Sequence, residues 1–507
     1  MASKGSLKRR QLPKLMACMT KTSLENLRNK ALFSMDMLDA KGIRRRRLPL
    51  HECLILELSE AGYLESSTYL QDLVYDNMQL VADDDIGLVV DLRKRSDYLE
   101  HICAGLQKAE KFKDRENTKK ECLELLKLAH FFADREKGIL WLAEKLFLAS
   151  IAVSSQYLID GGRQKAVCKY HYAKFLLDKF PGADPEEPFL ILTEVRDSAI
   201  GRDWPLYEAE NEGDEVPSVT VFCATALELH NVLLSKAKAA RKLDPGKAER
   251  LSRLAERRAN DAGESAKTAE AVIEIGVCQL MMNNLNNAQK TFERAFKMHT
   301  KTNNIEGLCK TRMHMAAVMQ RLGEHETAAK LLTEMGAMAM EQNLRRLLGQ
   351  ALHLLGELHL RRERPDLGTP HLAEAFACFI GYKFSKVCEY FNGELNELYA
   401  KAAMKESFEE EAEQSRLMTA ISAGQELMPS YFRLLREAGA CSVAKMKIIE
   451  WKLAGAGWWV RRRHHDYLPC PCPTHKRTPL DVLRKKLPFM ANHVFYSTSL
   501  LVHAIKR

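Results

Sequence analysis

Ala269–Thr300 reads AEAVIEIGVCQLMMNNLNNAQKTFERAFKMHT. Its apolar residues recur at helical spacing on both sides of a polar break. Ile275, Gly276 and Leu280 share one face of a first helix, Asn283 and Asn284 make a turn, and Ala288, Phe292 and Ala295 share one face of a second. Gly276 and Ala288 are small enough to let two helix axes approach, and Phe292 is large enough to fill the gap between them. Such a pair leaves an apolar face open, so it requires neighbours of its own kind.

Neighbours are present. Gly276, Ala316 and Gly356 are small residues at equal spacing along the chain. Ala316 is followed by a turn at Gly323 and then by Ala328 and Leu332. Gly356 is preceded by Leu355 and followed by Leu372 and Ala375. The residue types and offsets are those of the tetratricopeptide repeat, whose ordinary period, about 34 residues, is shorter than the spacing found here. The extra length is expected to extend the helices or the loop between units. In the third unit Arg364, Pro365 and Gly368 stand where the turn and second helix should begin. That helix is therefore expected to start late, near Pro370, where a first-turn proline is tolerated. The expected fold is all-α, a right-handed α-solenoid of stacked helix-turn-helix repeats with a period of about 40 residues.

Outside residues 263–383, which hold the three clearest units, the pattern fades. Residues 121–262 are expected to hold degenerate helix pairs: Glu121–Arg135 with Gly138–Val153, then Val167–Phe180, then Ser218–Arg241 with Gly246–Arg258. An acidic loop is expected at 201–217. Ala248 precedes Ala288 by the same interval that separates Gly276 from Ala316, which keeps the period. Residues 48–120 are expected to be a helical N-terminal cap, most clearly over Leu48–Val81, and 384–452 C-terminal capping helices with an acidic face at Glu409, Glu410, Glu411 and Glu413. Residues 1–47 are expected to be a flexible basic N-terminus, and 453–507 a disordered tail with five prolines.

The 507 residues carry a net charge of +9. From Leu453 onward ten Lys/Arg face two Asp/Glu, so the tail holds +8 and the rest of the chain +1. A neutral body argues against a nucleic-acid partner. Thirteen cysteines, scattered apart from Cys470 and Cys472, fit free thiols in a reducing cytoplasm. No signal peptide, and no stretch of about 18 apolar residues that would span a membrane, is expected. His464, His465, Cys470, Cys472 and His475 have poor spacing for zinc, and no metal or other cofactor is expected. Arg44–Arg47 is expected to be a solvated linker. Trp458, Trp459 and Arg461–Arg463 lack the sustained period of a membrane-surface helix. Gly161-Gly162 and Gly455-Ala456-Gly457 lack the Lys-Ser/Thr ending of a phosphate loop, and no nucleophile-base arrangement stands out. No catalytic residue is assigned.

Beyond the repeats, the chain resembles the tetratricopeptide repeat protein 29 family, axonemal proteins of cilia and the sperm flagellum. The matches are short: Cys53–Tyr63 ending in Gly62-Tyr63, Asp97-Tyr98-Leu99-Glu100-His101 before a charged helix, Gly201-Arg202-Asp203-Trp204, and Glu450-Trp451-Lys452. The resemblance ends at Lys452. It implies a non-enzymatic scaffold or adaptor in the axoneme, with dynein-arm or transport components as protein partners. The carboxylate clamp of chaperone-binding repeats is missing, because its places hold Ile273, Val277 and His314. The stacked first helices are expected to form a concave groove of about 300 to 400 Å², with Met313, Met319, His353 and His359 as candidate lining residues. The alternative is a cytoplasmic cargo or polarity adaptor of the kinesin-light-chain type, which also uses repeats of about 40 residues.

Overall fold

A computed structural model describes residues 40–157, 159–207, 219–380 and 408–455, together with 457, 458, 465 and 468. Among them are 18 α-helices. The chain forms two compact units, Met1–Leu206 and Tyr207–Arg507. The boundary falls inside the loop expected at 201–217, so residues 121–262 are not one region but belong partly to each unit.

The first unit holds α1 (Ala40–Arg47), α2 (Leu50–Glu60), α3 (Leu64–Asp83), α4 (Ser96–Lys113), α5 (Thr118–Ala133), α6 (Leu140–Gln156), α7 (Arg163–Lys179) and α8 (Glu186–Ala199). One expectation is corrected here. The arginine run Arg44–Arg47 is the last turn of α1 rather than a linker, and Arg44 and Arg45 pair with Glu60 and Glu57 of α2 at 2.6 and 2.9 Å. The stretch Leu48–Val81 is helical as expected, and it is divided into α2 and α3 because Gly62 sits at φ 92° and closes α2. The helix α8 fills the stretch before the acidic loop, for which no element is assigned from the sequence. The core of this unit is aromatic where α5 and α6 meet, with Phe132 and Phe147 fully buried and Tyr98 edge-on to Phe132 at 5.6 Å. Residues 137–156, against expectation, are long and apolar enough to cross a membrane by composition. In the fold Leu142, Ala143, Leu146 and Phe147 of α6 are buried between α5 and α7, which accounts for the apolarity of that stretch.

The second unit holds α9 (Val221–Ala240), α10 (Pro245–Asp261), α11 (Ser265–Met281), α12 (Leu285–Lys301), α13 (Ile305–Leu322), α14 (His325–Glu341), α15 (Arg345–Arg361), α16 (Pro365–Ile380), α17 (Glu409–Glu437) and α18 (Ser442–Ala454). Each helix packs against the next in sequence, as an α-solenoid does. Some of these helices start on side-chain caps: Asp244 accepts from the Lys247 amide with Pro245 in the first turn, and Asn304 accepts from the Gly307 amide. The helices α10–α15 stop by one device that recurs at every half repeat. Gly263, Asn283, Asn303, Gly323, Asn343 and Glu363 all have φ between 52° and 85°. The amide following each bonds the carbonyl five positions back, as Asn284 does to Gln279 at 2.8 Å and Arg364 to His359 at 3.0 Å. This is the left-handed closure that satisfies the last carbonyls of a helix. Each repeat is therefore two similar halves, and its extra length over the ordinary tetratricopeptide unit lies in the helices, not in a loop.

Two further expectations change. The helix expected to start near Pro370 starts at Pro365, and Pro370 lies inside it. Of the tail expected to be disordered, Trp458, His465 and Leu468 are placed. Trp458 is buried with Leu427, Leu434 and Val443, and His465 Nε2 lies 3.1 Å from Glu450 Oε2. His464, Cys470, Cys472 and His475 lie outside the described residues, as do Trp459 and Arg461–Arg463. Residues 1–39, most of the acidic loop and 381–407 lie outside them too.

Candidate protein-binding face

Small residues of the first helices meet large residues sixteen positions later on the second helices. A Cβ on Gly276 would stand 2.5 Å from Phe292 Cε1, and one on Gly356 would stand 2.4 Å from Leu372 Cγ. Ala316 and Leu332 are buried in the same relation. Ala288, Ala295, Ala328 and Ala375 are buried beside them. These ten residues lie where helices cross, and they fix how close the first helices come to the second.

The first helices α9, α11, α13, α15 and α17 also touch one another in succession, and more closely than α10, α12, α14 and α16 do. The second unit therefore curves with its first helices on the inner side. Polar contacts tie them in sequence. Arg241 of α9 pairs with buried Glu274 of α11 at 3.2 Å, and Lys238 with Glu270 at 3.4 Å. Arg321 of α13 donates to the Leu280 carbonyl at 2.6 Å. His353 Nδ1 of α15 lies 2.8 Å from Ser415 Oγ of α17. Half-buried Ile273, Val277, Ala317 and Leu354 form the apolar floor between these pairs. His314 stacks on Phe292, with ring centres 5.4 Å apart, and burial, with a smaller push from Arg241, lowers its pKa to about 4. The imidazole is neutral at physiological pH and adds no charge to the floor.

The four expected lining residues are not brought together. Met313 and His353 stand three positions before the small residue and face the inner side. Met313 is half-buried against the α13–α15 core, and His353 is buried under α17. Met319 and His359 stand three positions after it, on the side facing the second helices. Met319 packs into the same core, and His359 stacks on His371 of α16 at 5.6 Å. The inner face is instead lined one position after and two positions before the small residues. Carrying Val277 and Glu274 forward by one repeat gives Ala317 and His314, and by a second repeat Glu357 and Leu354. That arithmetic is available in the sequence. A separate cleft between α10, α11 and α12 is lined by Arg253, Glu256, Lys290 and Arg294, and its arginines are paired to Glu249 and Glu256. Among the described residues no group of three or more His, Cys, Asp or Glu could hold a metal ion.

No protein family profile and no curated protein matches this chain. Among solved structures, it is similar to aspartyl phosphate phosphatase F from Bacillus subtilis, at 10% identity and a TM-score of 0.35, over 92% of this chain and 96% of that one. It is also similar to a circular tandem repeat protein with novel repeat topology and enhanced subunit contact surfaces, at 15% identity and a TM-score of 0.21, over 80% of this chain and 90% of that one. Likeness at these scores carries no argument about what this chain does.

Proposed function

We propose that this chain is a non-enzymatic scaffold that holds protein partners together in the axoneme of a cilium or flagellum, with dynein-arm or transport components as those partners. The observation that carries the binding role is the inner face of the second unit. Successive first helices set half-buried Ile273, Val277, Ala317 and Leu354 among Glu274, His314 and Glu357, with ion pairs from α9 to α11, a mixed surface suited to an extended or helical peptide. The axonemal setting rests on the sequence resemblance alone.

The test is proximity labelling from ciliated or spermatogenic tissue, comparing the wild type with Val277→Glu and Ala317→Glu. Both positions lie one place after the small residue of their first helix and are only half-buried, so a charge there should remove a partner without unfolding the stack. Axonemal proteins should be labelled by the wild type and lost with the substitutions. Labelling of vesicle cargo in place of axonemal proteins would instead favour the cargo-adaptor reading. Labelling unchanged by both substitutions would show that binding lies elsewhere.

A further inference from the structure

The second helices lie on the outer side of the second unit, and charge is unevenly shared among them. The helix α10 carries Lys247, Arg250, Arg253, Arg257 and Arg258 against Glu249, Glu256 and Asp261, a net charge of +2. The helix α12 carries Lys290, Arg294, Lys297 and Lys301 against Glu293, a net charge of +3. The next two, α14 and α16, carry −2 each. The sign changes at fixed places of the repeat: Glu334 and Glu341 of α14 stand one repeat after Arg294 and Lys301. The acids of α10 are already engaged. Glu249 pairs with Arg253 at 2.7 Å, Glu256 with Arg294 at 2.5 Å and Asp261 with Arg258 at 2.8 Å. Lys247, Arg250, Arg257, Lys290, Lys297 and Lys301 are exposed, and none of them has an ion-pair partner among the described residues.

These cations form two rows. Lys290, Arg294, Lys297 and Lys301 follow spacings of four, three and four on one face of α12, about 16 Å of helix. Arg250 and Arg257 stand one repeat before Lys290 and Lys297, so α10 repeats the row beside it. Cations held in rows without counter-charges repel one another, and an anion laid along them removes that cost. Between the rows lies the cleft of α10, α11 and α12, with a volume of about 200 Å³. Buried Ile275 and Gln279 line its inner end, and exposed Arg253, Lys290 and Arg294 its mouth. Gln279 is satisfied within the protein, donating to Glu249 and accepting from Thr291. Glu256 in the wall is held by Arg294. Lys290 is therefore the unpaired cation of the cleft, and a side-chain carboxylate on an apolar stem fits it, with the stem toward Ile275.

A polypeptide suits this surface better than a nucleic acid does. Glu249, Glu256 and Glu293 interrupt the cations and would repel an unbroken phosphate backbone. Neither helix offers an exposed aromatic ring for a base to stack on, since Phe292 is buried and Phe296 lies under the Arg312 guanidinium. Discrete carboxylates avoid both difficulties. Alternate side chains of an extended chain recur about every 7 Å, close to the spacing of about 6 Å along α12 from Lys290 to Arg294 and from Lys297 to Lys301.

We propose that the outer face of α10 and α12 docks an acidic segment of a partner protein, with carboxylates along the two rows and one of them in the cleft. The site lies on the other side of the stack from the inner face, so one scaffold would hold two partners at once.

The probe is a fluorescein-labelled peptide of alternating Glu and Ser, followed by fluorescence anisotropy with the full chain. Lys290→Glu with Lys297→Glu should weaken its binding at least about tenfold with an unchanged far-UV spectrum, and Lys290→Gln with Lys297→Gln should weaken it by less. Val277→Glu, on the inner side, should leave the affinity unchanged, which separates failure of this site from failure of the inner-face reading. The segment from Leu453 onward is also basic, so position is read separately. A carbodiimide joins peptide carboxylates to the lysines they touch, and mass spectrometry should find the joins at Lys290, Lys297 and Lys301. Joins confined to Lys476, Lys485 and Lys486 overturn the proposal. So does peptide binding that survives both pairs of substitutions. An oligonucleotide of equal charge that binds more tightly, and is lost with the same substitutions, overturns it too, the surface then being one for nucleic acid.

Discussion

At the scale of single residues, the structure turns on contacts that leave no space. Gly276 and Gly356 allow the first and second helices to approach until a phenylalanine ring or a leucine fills the seam. Gly276→Ala should cost about 1–3 kcal/mol, because the added carbon overlaps the Phe292 ring and one helix must move. The midpoint of urea unfolding, at unchanged slope, measures this, and an unchanged midpoint would mean that the seam is slack. Buried histidines make the fold sensitive to acid. Burial, reinforced by neighbouring His130, lowers His171 to about 3, and burial lowers His314 to about 4, against 6.5 for the free imidazole. The folded state therefore favours the neutral ring, while the unfolded chain takes up a proton once pH falls below about 6.5. The stability these rings contribute is complete above that pH and is lost progressively as pH falls toward about 4. Melting temperature should fall from about pH 6.5 to about pH 4.5. His171→Phe, beside the Phe147–His130 cluster, should reduce the slope, and a pH-independent melting temperature would refute the assignment.

At the scale of elements, the helices of the second unit are set by their ends. Six left-handed residues at regular intervals close successive helices, and five of them are glycine or asparagine, which enter that region readily. Glu363 is the exception, at φ 57°. Glu363→Gly should raise stability by about 1 kcal/mol and Asn343→Gly by less, since asparagine already tolerates the conformation. Chemical denaturation of the two variants side by side decides it, and a loss of stability in Glu363→Gly would show that its side chain is needed. These closures also explain how far the fold is legible in the sequence. The helix pairs of 263–380 are legible because small and large residues recur at one period, and the turns at Asn283 and Gly323 carry residues that signal them. The turn at Glu363 carries no such signal, so sequence reasoning places the start of α16 at Pro370. In the fold Pro365 is the first-turn proline, and Thr369 Oγ1 donates to its carbonyl at 2.8 Å just before the interior Pro370. The inner face is less legible than the seams. A shift from three positions before the small residue to three after moves a side chain from the inner side to the interior of a pair, and Met313 and Met319 differ by that shift.

At the scale of the whole molecule, a stack in which helices touch mainly their neighbours confines damage to where it is made. This bears on its C-terminal end. Composition alone marks residues 453–507 as dispensable, being basic and proline-rich. Their first part nevertheless takes part in the end of the stack. Trp458 is buried with Leu427, Leu434, Cys441, Val443 and Ala444, its ring 5.2 Å from that of Tyr431, and Leu468 packs against the same cluster. His465 reaches Glu450 of α18. Trp458→Ala should cost on the order of 3 kcal/mol locally, the usual scale for removing a buried indole, and deletion from Leu453 onward should cost at least as much. Hydrogen exchange gives the decisive measurement because it resolves segments. Amides of α17 and α18 should lose protection in either variant, while those of α9–α12, several helices away, should keep theirs. Unchanged exchange in α17 and α18 would show that the indole does not hold the end. A rise spreading through α9–α16 would mean that the second unit unfolds as one body instead of repeat by repeat, and the nearest-neighbour account of its stability would fail with it.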